Sequence, residues 1–363
     1  MRWPWSTMTG PPDDAWPQAL EFAEDERSKR RKGAFRPQFA DVWTLPSASI
    51  PRPVAVHMFV NPYSGRKKGD RIAQQICERF EQANVATTVH RSTSPGHLVQ
   101  LAREADAPLG AVLLVVGGDG SLSEVITGRF ERGTAKEDVF AIAPGGTGNS
   151  QAHDLGIHTI DDAVNTVLAG RVQSLDVGQV TLTEGLPGDE RGRIVRYSHN
   201  LVTWGLGVDS TIKAERMRWM GPLRYDVGIV MAILANQRRT AVLEMDGVRL
   251  EDDFTLLLIQ NSQTGGSRLP LAPGASLDDS RMDIGILKSM SRRQVFRAFS
   301  MLKAEGRHVY HSRVDYHRFE RLTITTPKPS AINVDGENLG STPLELVVLP
   351  QAIRLMVPSE REI

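Results

Sequence analysis

Three glycine-rich turns hold the residues of this 363-residue chain best suited to chemistry. The sharpest is Val115-Val116-Gly117-Gly118-Asp119-Gly120-Ser121, where an apolar run gives way to a helical pattern. Glycines at such a junction let the backbone approach a ligand closely, and the free amides of a helix start bind phosphate. Asp119 then falls at the carboxyl end of a strand, where open α/β sheets take their ligands. An ordinary strand-to-helix turn capped by aspartate accounts for one or two glycines, but not for three around Asp119.

A second turn, Ile142-Ala143-Pro144-Gly145-Gly146-Thr147-Gly148-Asn149, follows another apolar run and adds the Thr147 hydroxyl and the Asn149 amide as donors. A third, Asn61-Pro62-Tyr63-Ser64-Gly65, runs into Arg66, Lys67 and Lys68. Singly each is compatible with a loop. At the ends of parallel strands the three converge on one sheet edge, which predicts a nucleotide site. A GxxxxGK[ST] loop, a protein-kinase HRD and DFG set, a GxSxG elbow and an HExxH pair are all missing.

The elements that must position these turns follow from periodicity. Residues 54–60, 86–90, 111–116 and 139–143 read as strands, and 70–83, 96–105, 121–129 and 159–169 as helices. This alternation predicts an α/β fold with a doubly wound parallel sheet. Beyond about residue 172 the texture changes to strands at 179–183, 194–203, 241–245, 254–260, 282–287, 321–326, 330–334 and 344–348. Helices fit 210–219, 227–236 and 291–304, so the second half reads as an antiparallel β domain with helical insertions. The expected organisation is an N-terminal extension over 1–52, a nucleotide-binding α/β domain over 53–175 and a β-rich domain over 176–358, with a cleft near the boundary.

Bulk properties narrow the partners. A net charge of +0 argues against a wholly basic nucleic-acid binder. Cys77 is the sole cysteine, which excludes an intrachain disulfide and any cysteine-cluster zinc site and suits a reducing cytoplasm. With no stretch near ~20 apolar residues, contact with a membrane would be peripheral. Trp3, Trp5, Trp16 and Trp43, with Arg27, Lys29, Arg30, Arg31 and Lys32, suit an anionic membrane surface. A partly ordered extension packing on the body is the preferred reading of that region.

In this order the three turns resemble the catalytic domain of the diacylglycerol kinase and sphingosine kinase family, which is related in fold to NAD kinases. The resemblance spans roughly residues 53–358. It rests on Asn61-Pro62-x-Ser64-Gly65, Gly117-Gly118-Asp119-Gly120 with Glu124, Pro144-x-Gly146-Thr147-x-Asn149, Leu277-Asp278-Asp279 and Asp335-Gly336-Glu337. It implies a doubly wound NAD kinase-like N-terminal domain and an antiparallel β-sandwich C-terminal domain. It further implies ATP and Mg²⁺ as cofactors, and transfer of the γ-phosphate to a hydroxyl of a lipid substrate, of the diacylglycerol or sphingoid base and ceramide type, at a membrane surface.

By the same resemblance Asp119 is the general base, while Asn61, Pro62, Ser64, Gly117, Gly118, Gly120, Glu124, Gly146, Thr147 and Asn149 hold the nucleotide. Asp335, Gly336 and Glu337 approach its phosphates and metal, and Arg218 and Arg224 match arginines that reach them. The aspartate with which sphingosine kinases hold the lipid head falls on Thr211, and Asp209 is the nearest carboxylate. Ser150 stands where many diacylglycerol kinases carry aspartate, yet the tail around Asp335 looks like the bacterial diacylglycerol kinases. The signals for the lipid are mixed, and metal ligands and oligomeric state stay open. An NAD kinase, or a non-catalytic nucleotide or lipid sensor, is the alternative.

Overall fold

The computed structural model describes residues 39–359, apart from 109, 218–222 and 267. Trp3, Trp5, Trp16 and the basic cluster of residues 27–32 lie outside the described residues, as does Arg218.

The first half is an α/β layer. After the short strand β1 (Ala48–Ser49), strands β2 (Ala55–Val60), β3 (Ala86–Arg91), β4 (Val112–Gly117) and β5 (Val139–Pro144) form a parallel sheet in the order β3-β2-β4-β5. β4 is buried along its whole length, as its unbroken VLLVVG run requires of a strand covered on both faces. Helices α1 (Ser64–Lys67), α2 (Gly69–Gln82), α3 (His97–Glu104), α4 (Asp119–Arg132), α5 (Ser150–Asp154) and α6 (Ile160–Ala169) connect or follow the strands. The α6 start is set by a capping box between Thr159 and Asp162. Register decides where the turns emerge: Val60 is level with Val116, and Gly117 with Pro144. The chain therefore leaves β2, β4 and β5 at one edge.

Two long strands tie this layer to the second half. β6 (Arg171–Glu184) pairs antiparallel with β17 (Glu337–Met356) from Met356↔Val172 to Gly340↔Glu184. At its far end β17 also pairs in parallel with β5, through Arg354↔Val139 and Leu355↔Phe140. Position 175/176 thus lies inside a continuous strand. Leu175 and Val177 belong to the core of the α/β layer, whereas Val180 and Leu182 belong to the core of the antiparallel half.

That half contains β7 (Gly192–Ser198), β8 (Leu201–Gly205), β9 (Arg239–Met245), β10 (Val248–Gln260), β13 (Met282–Lys288), β14 (Val314–Phe319), β15 (Arg321–Thr325) and β16 (Ala331–Val334), with the short pair β11 (Thr264–Gly265) and β12 (Leu269–Pro270). Apart from the β17–β5 pair, every pairing in it is antiparallel. Helices α7 (Leu206–Arg216), α8 (Leu223–Ala235) and α9 (Arg292–Lys303) cover a separate apolar cluster that includes Leu256, Leu258 and Leu287.

One difference from the sequence expectation matters for the site. The strand expected over 194–203 breaks at His199-Asn200, because the Asp335 carboxylate collects the amides there. In the extension, residues 39–45 dock on the body: Asp278 accepts from Thr44 N and Oγ1 and from Leu45 N at 2.6–2.9 Å. Trp43 packs against the α/β core.

Candidate active site

The three turns meet backbone to backbone. A methyl at Gly146 would stand 2.6 Å from the Gly118 Cα, and one at Gly65 would collide with the Gly145 carbonyl. Only glycine allows this approach. Asn61 Nδ2 donates to Ser121 Oγ at 3.3 Å, which joins the Asn61 turn to the Gly117 turn, while Asn61 Oδ1 accepts from Tyr63 N within its own turn. Ser64 lies beside Gly117, and Pro62 is half-buried between Asn61 and the start of α1. Asn149 adopts a left-handed φ of 52°. Its side chain clasps Gly146 with both amide atoms, accepting at 2.8 Å and donating at 3.0 Å. Thr147 projects exposed at the tip.

Asp119 opens α4 and faces the start of α5. Its Oδ2 accepts from Ser150 N and its Oδ1 from Gln151 N, each at 3.0 Å. An acceptor is favoured at these otherwise unpaired helix amides. Two amides fix the carboxylate plane, and each oxygen keeps a lone pair for a further donor.

Asp335 and Gly336 form the tight turn between β16 and β17, with φ of 46° and 95° as an Asp-Gly hairpin requires. Their surroundings differ from those of an exposed hairpin. The Asp335 carboxylate is buried and accepts from Ser198 Oγ and from the amides of His199, Asn200 and Leu201 at 2.8–3.2 Å. Gly336 N donates to Asn333 Oδ1 at 3.0 Å.

Glu337 points the other way, into a cleft of about 580 Å³ whose walls include Gly96, Gly120, Glu124, Arg196, Glu337 and Asn338. A Cβ at Gly120 would meet the Asp335 carbonyl at 3.2 Å and Glu337 Oε1 at 3.3 Å, so the glycine lets the β16–β17 hairpin approach the start of α4 closely. Glu124 caps α3, accepting from Gly96 N at 3.3 Å and Leu98 N at 3.0 Å. Glu337 hydrogen-bonds to Glu124. Burial, then the neighbouring Glu124 charge, pushes Glu337 up to about 8, and burial also raises Glu124. At neutral pH the pair therefore holds a proton.

Two residues expected at the lipid head are placed differently from each other. Thr211 Oγ1 donates to the Val208 carbonyl at 2.8 Å and lies 3.2 Å from Asn338 Oδ1, which brings it to the cleft wall. Asp209 instead forms a bidentate pair with Arg239 at 2.7 and 3.1 Å. Arg224 lies in α8, and its side chain is outside the described residues. His199, Gln151 and Asn338 also belong to the site, and the sequence carried no signal for them. His199 sits in what reads as an unbroken strand, and only the fold brings it to Asp119.

Glycine turns at the carboxyl ends of parallel strands, with a carboxylate-lined cleft beside the first turn of α4, are the arrangement of an α/β enzyme that takes its ligand at the sheet edge. Residues 55–180 match the diacylglycerol kinase catalytic domain, and residues 200–357 match the YegS C-terminal NAD kinase beta sandwich-like domain. The chain is 29% identical over 304 residues to a diacylglycerol kinase of Bacillus subtilis (strain 168), covering 83% of this chain and 95% of that one. It is 23% identical over 347 residues to sphingosine kinase 1 of Arabidopsis thaliana, covering 80% and 70%. A crystal structure of a diacylglycerol kinase from Bacillus anthracis str. Sterne shares the fold with a TM-score of 0.66 at 19% identity, over 85% of this chain and 98% of that one. The chain belongs to the diacylglycerol kinase and sphingosine kinase catalytic-domain family, and it is a lipid kinase.

Proposed function

We propose that the protein transfers the γ-phosphate of ATP to a hydroxyl of a membrane lipid of the diacylglycerol or sphingoid type. The observation that supports this most directly is the close backbone approach of the turns at Gly65, Gly118 and Gly146, which brings three strand ends together beside the first turn of α4. Such a surface suits phosphate groups. Phosphoryl transfer depends on positioning and charge compensation more than on covalent chemistry, so few side chains are needed.

Asp119 is the proposed proton acceptor for the lipid hydroxyl, since its two amide partners aim the remaining lone pairs outward. Glu337, across Gly120, carries its proton at neutral pH and serves as a donor toward a phosphate oxygen. Mg²⁺ takes oxygen ligands and commonly one or two carboxylates with the substrate phosphates, a role open to the ionised Asp119 carboxylate but not to a protonated Glu337. When bound there it would compensate the charge of the phosphates. The lipid head would enter beside Asn338 and Thr211. Thr211 carries no charge, which suits an uncharged glycerol hydroxyl better than an amine and favours a diacylglycerol-type substrate.

The deciding experiment incubates the protein with γ-labelled ATP and Mg²⁺ and offers diacylglycerol, monoacylglycerol, sphingosine, ceramide and NAD in mixed micelles. Label on diacylglycerol is the expected result. Label on NAD alone would overturn the lipid reading, and bound ATP without any transfer would favour a sensor.

A further inference from the structure

Helix α8 is apolar on more than one side. Its GIVMAILA segment buries Ala232 and Ile233 in the cluster beneath α7, α8 and α9. Val230, Met231 and Leu234 nonetheless remain 41%, 44% and 52% exposed. Val230 and Leu234 are four residues apart, and Met231 adjoins them, so they share a face. A helix apolar all round belongs in a core or against lipid, and here only one side has a core.

Helix α9 extends this surface. Val295, Ala298 and Leu302 enter the same cluster, while Phe296 is 38% exposed on the other side. The two helices are held end to start. Asn236 Nδ2, just past α8, donates to the carbonyl of Met290, just before α9, at 3.1 Å, and Arg238 Nη2 donates to it at 3.3 Å. Around Phe296 stand Arg292, Arg293 and Arg297, all exposed, on a helix with no acidic residue. Two acids paired to the segment that follows α8 are engaged: Asp209 pairs with Arg239, and Asp253 accepts from Thr240. An apolar strip bordered by arginines on one side complements an anionic bilayer surface, with the side chains among acyl chains and the guanidinium groups at the phosphates.

We infer that the face formed by Val230, Met231, Leu234 and Phe296, with Arg292, Arg293 and Arg297, docks the protein on membranes containing anionic lipid. The inference deepens the lipid-kinase reading and rests on it for its biological sense. Helix α7, which pairs with α8, carries Thr211 and so borders the cleft through Asn338. Docking by α8 and α9 sets the cleft beside the bilayer that contains its substrate.

The test is co-sedimentation of the full chain with vesicles of phosphatidylcholine alone and of phosphatidylcholine with phosphatidylglycerol. The expected result is binding to the anionic vesicles that weakens with added salt. Arg292→Gln, Arg293→Gln and Arg297→Gln together should weaken it on the order of 100-fold. Leu234→Glu with Phe296→Glu should weaken it roughly tenfold or more on both vesicle types. Phosphorylation of a short-chain, monomeric lipid should stay unchanged in both variants. Equal binding by variants and wild type would overturn the inference, as would absence of wild-type binding. Light scattering that shows a dimer broken by Leu234→Glu would assign the face to a second copy and overturn it too. Vesicle binding without phosphorylation of any lipid would instead sink the kinase reading and leave the docking face standing.

Discussion

His199 Nε2 donates to the carbonyl oxygen of Asp119 across 3.0 Å, while the amide of His199 lies 3.2 Å from a carboxylate oxygen of Asp335. One buried residue thus joins the Asp119 turn of the α/β layer to the hairpin that presents Glu337. A carbonyl only accepts, so Nε2 carries a proton. On the other side of the ring, Gln151 Oε1 lies 3.1 Å from Nδ1.

The first prediction concerns this ring. His199→Ala strands the Asp119 carbonyl and Gln151 and should cost about 2–4 kcal/mol of stability. It should also lower kcat more than it raises the KM for ATP, because the turn keeps its amides but loses its position relative to Glu337. His199→Gln, which restores a donor, should recover part of kcat. Denaturant unfolding and steady-state kinetics on the three proteins decide it, and equal kcat throughout would remove His199 from site positioning.

Asp119→Asn should reduce transfer by at least ~10²-fold, the scale of a lost general base. Asparagine offers one oxygen to two α5 amides and turns its NH₂ on the other. A stability loss of about 1–2 kcal/mol should therefore accompany the loss of activity, with ATP still bound. Calorimetric ATP titration beside the kinase assay separates the two effects. Full activity would move the base elsewhere, and Glu337 is the next carboxylate across Gly120.

Glu337 gives a pH signature. Its pKa rises on folding from 4.5 to about 8, so the folded protein binds the extra proton. The stability from this group is complete below about pH 4.5 and is lost as pH rises through about 8. Asp176, raised to about 6, and Asp283, raised to about 7, slope the same way. Only the difference between wild type and Glu337→Gln therefore isolates Glu337. The variant should unfold at nearly the same temperature as wild type at pH 5 and at a higher one at pH 8. Parallel curves across that range would show that the Glu124–Glu337 pair does not hold the proton.

Gly146→Ala tests the meeting of the turns. The added methyl points at the Gly118 Cα, 2.6 Å away, and backbone cannot swing aside. The turns must separate, so the KM for ATP should rise about tenfold or more, with a stability loss of about 1–3 kcal/mol. Gly133→Ala is the contrasting control: nothing stands within 4 Å, and its left-handed φ of 86° affects stability alone. Equal ATP affinity in the two variants would count against a nucleotide on these turns.

Much of this was legible without coordinates. The strand-helix alternation, the three glycine turns and the Asp-Gly hairpin are local signals, fixed by apolar period and by the few residues that tolerate a positive φ. They were enough to predict that the turns converge on one sheet edge and to nominate Asp119. Contacts between residues distant in the chain were not legible, because no local preference encodes them. Asp335 binds residues more than 130 positions away, and it decides that a strand must break at His199. The same distance hid the proton shared by Glu124 and Glu337, whose unusual affinity comes from burial against each other. It also hid the commitment of Asp209 to Arg239. Sequence set which elements form and where the backbone can turn; only tertiary packing decided which charges are buried, what they pair with, and therefore what each can do.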